Sequence, residues 1–290
     1  MNWLGLTLIC ALALASSDAA AKQGLGGRSA WDMLVVRLGL AGLLLAPWLV
    51  WQHPASLSAG FWGWMAVLAP LELAAMLLYM RAIRDHALSL TLPYLAFTPV
   101  FIVLIGRLVL DETVSPRGLA GIGLVVAGSW LLNFESIGRL TPRAMAAPFR
   151  AIVRNPGSRM MLLAAFIYAF TAAGSKAAMQ EVGSAGFGAL YFVVVGSFAL
   201  LVTALLRPRA YRVLAEQPGV SLLVAGLMAL MVVTHFLAIA QVEAAYMIAV
   251  KRISLLFGIL YGALLFGERR LGRHLLAGGL MVAGVALIAL

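Results

Sequence analysis

The sequence predicts an all-α membrane protein of ten transmembrane helices, arranged as two inverted five-helix repeats. Three observations carry that reading. The 290-residue chain is 63% hydrophobic with only 11% charged residues, where soluble domains hold roughly 25%. Its apolar runs have the length a bilayer demands, about 20 residues of helix each. Residues near the end of the first half recur near the end of the second at one constant offset.

Turn-forming or charged residues delimit candidate spans at about 2–22, 31–51, 60–80, 87–107, 116–134, 159–179, 185–206, 218–240, 244–266 and 271–290. The first run has the small residues of a secretory signal, but it lacks a basic leader and continues to Lys22, so it reads as a membrane helix. Trp31, Trp48 and Trp51 bracket the second span, and Trp62 and Trp64 open the third, as an interfacial aromatic belt would. The long segment 135–158 carries Arg139, Arg143, Arg150 and Arg154 with Pro142, Pro148 and Pro156, and reads as a basic tether. It divides the chain into a first repeat over 1–134 and a second over 159–290.

The repeat itself is legible in LDETVSPRGLAGIGLVVAGSWLL and FGERRLGRHLLAGGLMVAGVALI. Glu112, Gly123, Leu124, Val126, Ala127 and Gly128 align with Glu268, Gly279, Leu280, Val282, Ala283 and Gly284, and Gly106 aligns with Gly262. An odd number of spans per repeat forces the second copy to cross in the opposite sense. That is the plan of secondary transporters, whose site lies near the midplane between repeats.

Composition excludes several other classes. The single Cys10 permits no intramolecular disulfide and no cysteine zinc site. The net charge of +10 sits mostly at span ends, the pattern of membrane anchoring rather than of a nucleic-acid face. Paired aspartates, a Ser-His pair and an HExxH helix are all lacking, so neither an intramembrane enzyme nor a cofactor or metal is expected.

Ionisable residues inside spans are costly, roughly 2.5–3.5 kcal/mol each at the helix centre, and mark function by default. Lys251 and Arg252 stand side by side inside the ninth span. Adjacent helix positions differ by about 100°, so the pair can grip an anion from two directions, with Arg as a planar fork and Lys as a point charge. The alternative is burial against an acid on another helix. Glu72, midway along the third span, is either a proton-coupling group or the counter-ion of Lys251, Arg252 or Arg37. Asp18 is expected to pair with Lys22 one turn on. His235 reads as hydrogen-bonded core or as a proton relay. Glu243 reads as a solvated residue at a helix junction. Pro93 and Pro99 interrupt the fourth span, the repeat partner of the ninth, where such breaks line cavities or pack on neighbours. Tyr94, Thr98, Tyr246 and Ser254 are the polar groups expected to face that cavity. Gly258 and Gly262 suit close helix packing.

Two five-helix repeats, each with a Glu after its fourth helix and a later G-x-x-x-x-G, resemble the EamA-type members of the drug/metabolite transporter superfamily. Lys22, Lys176 and Arg37 fit the same pattern. The resemblance covers essentially the whole chain. It implies a secondary-active, alternating-access transporter of a small metabolite. The Lys251–Arg252 pair resembles one in the penultimate helix of the phosphate-carrying translocators of that superfamily, which implies an anionic or zwitterionic substrate, phosphorylated ones included. Export of neutral amino acids or amphipathic metabolites, and flipping of a lipid-linked anionic headgroup, are the alternatives. Leu14 stands where the superfamily's small multidrug exporters carry a Glu, which argues against that mechanism. Glu112 and Glu268 are expected to brace turns at the membrane surface. The implied partners are a small-molecule substrate and membrane lipid. A monomer suffices, and a homodimer is left open. The implied location is the bacterial inner membrane. Basic residues cluster at Lys22 and Arg28, Arg81 and Arg84, the long loop, Arg207–Arg212 and Arg269–Arg273, which predicts those loops in the cytoplasm and both termini outside. That orientation is the reverse of the usual family member's.

Overall fold

A computed structural model describes residues 2–52, 57–86, 92–133, 155–184, 186–266 and 271–289. The expectations for Glu268, Arg269, Arg270 and nearly all of the basic tether therefore lie outside the described residues. Those residues form helices and no strands.

The first helix, α1, runs Trp3–Gly24 with Asn2 as its N-cap. The second span comprises α2 (Ala30–Leu34), a π-helical stretch Val35–Leu40 and α3 (Ala41–Gln52). Ser29 and Asp32 form a reciprocal capping box that fixes where α2 begins. Next come α4 (Ala59–Asp85), a 3₁₀ turn Leu92–Phe97 leading into α5 (Thr98–Val109), and α6 (Pro116–Asn133). The second half holds α7 (Pro156–Val182) and α8 (Phe187–Leu206). A 3₁₀ turn Pro208–Tyr211 and the short α9 (Arg212–Glu216) lead to α10 (Pro218–Ile239). The chain closes with α11 (Ala244–Lys251), α12 (Ser254–Phe266) and α13 (Leu271–Ala289).

Seven helices are long and apolar enough to cross a membrane, and Tyr94–Val109 and Leu276–Ala289 are shorter apolar helices. The sequence predicts ten spans. Among the described residues the fourth begins as a 3₁₀ turn rather than as α-helix. The fifth, α6, is diluted by Pro116, Arg117, Asn133 and its glycines.

One core joins α1 to α5 with α7, α8, α10 and α11. Within it α1 packs on α10, α4 on α7 and α3 on α8. Helices α6 and α13 lie against each other around their own small core of Val125, Ala277 and Met281. Leucines such as Leu104, Leu108, Leu205 and Leu264 stay exposed, a surface that lipid rather than water would cover.

Backbone contact sets the tightest crossings. A Cβ on Gly42 would stand 2.5 Å from the Phe192 carbonyl oxygen, and one on Gly284 2.6 Å from that of Gly121. Small residues at such seams let helices approach closely in a membrane. Gly42→Ala should therefore destabilise the protein by about 1–3 kcal/mol through overpacking. Gly226→Ala, where a Cβ meets nothing within 4 Å, should leave it unchanged. Thermal unfolding of the two variants in detergent checks the contrast.

Polar contacts of the connecting segments fall at two ends. At one, Arg28 pairs with Glu216 at 2.6 Å. At the other, Ser58 donates to Glu181 at 3.1 Å, and the Tyr246 hydroxyl accepts from the Ser115 amide at 3.0 Å. Glu112 at this second end accepts from the Lys176 ammonium at 2.5 Å and from the Ala244 amide at 2.8 Å. Lys176 also donates to the Val242 carbonyl at 2.6 Å. One carboxylate thus ties the segment after α5 to α7 and caps α11, which is the bracing role the sequence predicts for Glu112.

Candidate charged site in the helix core

The chain winds unevenly between α11 and α12, where its cations lie. Arg252 N–H donates to the Ala249 carbonyl at 3.1 Å and Ile253 N–H to that of Val250 at 3.0 Å, an i→i+3 pattern between α11 and α12. A 3₁₀ turn is tighter than an α turn, so successive side chains splay further around the axis. Lys251 reaches α10, with its Nζ 3.3 Å from His235 Nδ1 and 3.4 Å from Met231 Sδ. Arg252 lies within electrostatic reach of Tyr79 on α4 and Tyr168 on α7.

The two cations differ in access. Arg252 is only 8% exposed, and its Nε has no hydrogen-bond partner. Lys251 keeps part of its surface accessible. Among the described residues no carboxylate lies within ion-pair distance of either. Isolated buried charges are expensive unless something compensates them. Lys251 ends α11 and Arg252 caps it, where the carbonyl end of the helix dipole favours positive charge.

Glu72 is partly accessible on α4. Its Oε1 accepts from the Tyr191 hydroxyl of α8 at 3.2 Å, while the nearby Thr171 hydroxyl of α7 donates to the Tyr168 carbonyl at 3.4 Å. Glu72 is in electrostatic reach of Lys251 but forms no ion pair with Lys251, Arg252 or Arg37 among the described residues. Arg37, 4% exposed on the π-helical stretch, takes Asp18 of α1 as its counter-ion at 2.6 Å and approaches Met228 Sδ at 3.4 Å. The expected Asp18–Lys22 pairing is corrected accordingly. A guanidinium sealed in the core is costly unless a carboxylate compensates it. π-Helical turns also concentrate at functional positions.

The structure thus gathers Lys251, Arg252, His235 and Glu72 into one region, with Arg37 and Asp18 beside it. It spreads the polar residues expected around them. Tyr94 is buried edge-on against Trp130, in a cluster with Ala82 and Met161. The Thr98 hydroxyl donates to the Leu95 carbonyl at 2.7 Å, so it closes its own turn. Tyr246 holds the Ser115 turn as described, and Ser254 is buried at the start of α12. The residues the sequence left out are Tyr79, Tyr168 and Tyr191. Their signal is position, since a Tyr in the body of a span, away from the interface, needs a partner for its hydroxyl.

A bundle of apolar helices enclosing charged side chains has the build of a membrane transport protein. The chain belongs to the EamA-like transporter family, whose model matches residues 1–134 and 155–290. A 76-residue stretch is 42% identical to a protein of Pseudomonas paraeruginosa (strain DSM 24068 / PA7) described as "Probable 4-amino-4-deoxy-L-arabinose-phosphoundecaprenol flippase subunit ArnE". The match takes in 26% of this chain and spans 64% of that relative's length. A solved crystal structure superposes with a TM-score of 0.74 over 98% of this chain and 96% of its own, at 17% identity. At that identity the likeness speaks for the fold alone.

Proposed function

We propose that this protein is a secondary-active, alternating-access transporter of a small anionic or zwitterionic metabolite, phosphorylated compounds included. In this reading ten spans form two inverted repeats around one site, α6 and α13 brace the outside, and Lys251 and Arg252 hold the acid. The observation that carries it is Arg252, a guanidinium buried in the core without an acidic partner among the described residues. Support for the repeat comes from the winding. α5 starts at Thr98 and α12 at Ser254, each after a tightened turn and 156 residues apart, the offset that also relates Glu112 to Glu268. Neutral-metabolite export is less well supported, since it requires Glu72 to neutralise a pair it does not contact. Flipping of a lipid-linked anionic headgroup is the second reading, favoured by the likeness to ArnE.

The test is thermal stabilisation of detergent-purified protein by anionic, zwitterionic, neutral and cationic metabolites, since a ligand that binds only the folded state raises its stability. Acid-bearing compounds should stabilise the wild type and fail with Lys251→Ala and Arg252→Ala. Stabilisation by neutral or cationic compounds alone would overturn the reading. Proteoliposomes offered a polyprenyl-phosphate-linked sugar beside the free sugar phosphate separate flipping from solute transport.

We also propose that the end bearing Arg28, Arg207, Arg209 and Arg212 faces the cytoplasm, with both termini outside, on the excess of basic residues in those loops. A C-terminal alkaline phosphatase fusion should be active in the periplasm. A silent fusion, with a fluorescent cytosolic reporter working at the same position, reverses the assignment.

A further inference from the structure

We propose that Glu72 is the amine-recognition group of the same site, so that the substrate is dipolar, with a protonated amine at one end and an acid at the other. The proposal rests on the anion site at Lys251 and Arg252 and goes beyond it by assigning the opposite pole.

Within one packed core Asp18 has already neutralised Arg37. Among the described residues three ionisable groups of this core have no ion-pair partner, Lys251 and Arg252 basic and Glu72 acidic. A run of contacts links Glu72 to Lys251: Tyr191 donates to Glu72 at 3.2 Å and its ring packs on Phe236, which packs on His235, 3.3 Å from the Lys251 ammonium. Yet no ion pair joins the two among the described residues. Opposite charges in a low-dielectric interior attract strongly, and a site meant only to bury them would let them meet. Here each is held apart by its own scaffold. Lys251 is held by His235 and Met231, and Arg252 by the tightened turn at the end of α11. Glu72 is held by Tyr191, whose ring packs on Phe187 and Phe236.

The surroundings of Glu72 suit an ammonium. A carboxylate carries about four acceptor sites, and the Tyr191 hydroxyl occupies only one of them. Tyrosine faces attract cations, and Tyr168 stands within electrostatic reach of Glu72. A molecule bearing both charges would bridge the poles and replace the ion pair the protein leaves unmade. An acid without an amine satisfies Lys251 and Arg252 but leaves Glu72 facing the ligand's apolar side, which costs binding.

Matched probes test this on the full-length protein in detergent: phosphoethanolamine against ethyl phosphate, and β-alanine against propionate. Affinities are read by isothermal titration in wild type, Glu72→Gln and Arg252→Ala. In wild type the amino-bearing member of each pair should bind at least about tenfold tighter, the loss expected when a charge-assisted hydrogen bond goes unmade. Glu72→Gln should erase that preference by binding ethyl phosphate more tightly than wild type does, since the unmet carboxylate is gone, and this binding also shows that the variant is folded. Equal binding of the two members by wild type, or a preference that survives Glu72→Gln, overturns the amine site and leaves the anion site standing. Failure of all four probes to bind wild type, or ethyl phosphate binding that Arg252→Ala does not weaken, overturns the anion site and this proposal with it. Unchanged affinities in Glu72→Gln with loss of proton-driven transport assign Glu72 to coupling and likewise overturn it.

Discussion

Arg252→Ala should abolish binding of acid-bearing metabolites while leaving the ligand-free protein as stable as wild type or more so. Truncating one partner of a buried, hydrogen-bonded charge pair costs about 2–5 kcal/mol, or roughly thirtyfold to several-thousandfold in affinity. The stability half of the expectation comes from what Arg252 lacks. Among the described residues its guanidinium has no carboxylate to orphan, so its removal relieves a desolvation cost instead of exposing one. Arg252→Lys should fall between, since it keeps the charge and loses the planar fork. Titration of ethyl phosphate together with the melting temperature of the ligand-free protein gives both readings. A variant that melts far below wild type without ligand would make the residue structural.

Glu112→Ala and Lys176→Ala should each destabilise the protein by about 3–5 kcal/mol, because each leaves the other charge buried and unpaired. The two side chains are each only 13% exposed, so solvent screens the pair little. Glu112 also caps α11 through the Ala244 amide, and its loss should cost more than that of Lys176. The double variant should be far less destabilised than the sum of the two, the signature of a directly coupled pair. Arg28→Ala, which breaks a pair exposed by 30% and 48%, should cost no more than about 1 kcal/mol. Thermal unfolding in one detergent across these variants checks the ranking, and additivity at Glu112 and Lys176 would refute the coupling.

What could be read from the sequence was position along the membrane normal. Charges at Lys251, Arg252 and Glu72 are visible inside apolar runs because a bilayer makes them costly. Lateral neighbours were not legible, since they depend on how helices rotate against each other. Asp18 sits one turn from Lys22, and local spacing names that partner, whereas the structure gives it Arg37 on another helix. Tyr191 reaches Glu72 across 119 residues of chain, and nothing in either segment announces it. Glu112 was read as a brace from its place after the fourth span, but Lys176 as its partner was not. The π-helical stretch carrying Arg37 has no proline to signal it, while Pro47 and Pro70 lie inside helices that continue through them. Tyr94, Thr98 and Tyr246 show the limit most plainly, because each is polar at a suitable depth and each is engaged by its own surroundings.

The tightened turn before Ser254 carries Lys251 and Arg252, whereas the matching turn before Thr98 carries Leu95 and Ala96. Two alike joints therefore bear unlike charge. With Asp18 and Arg37 cancelling, Lys251, Arg252 and Glu72, when all are ionised, leave one excess positive charge among the described core residues. On the proposed mechanism, any movement that presents this core first to one compartment and then to the other shifts that charge through part of the membrane field. A full crossing is worth about 2.3 kcal/mol per 100 mV. The empty protein then feels membrane voltage, and a bound molecule of net charge −1 silences it. The electrical potential of the cell thereby sorts loaded from unloaded molecules, pulling only the latter toward the negative side.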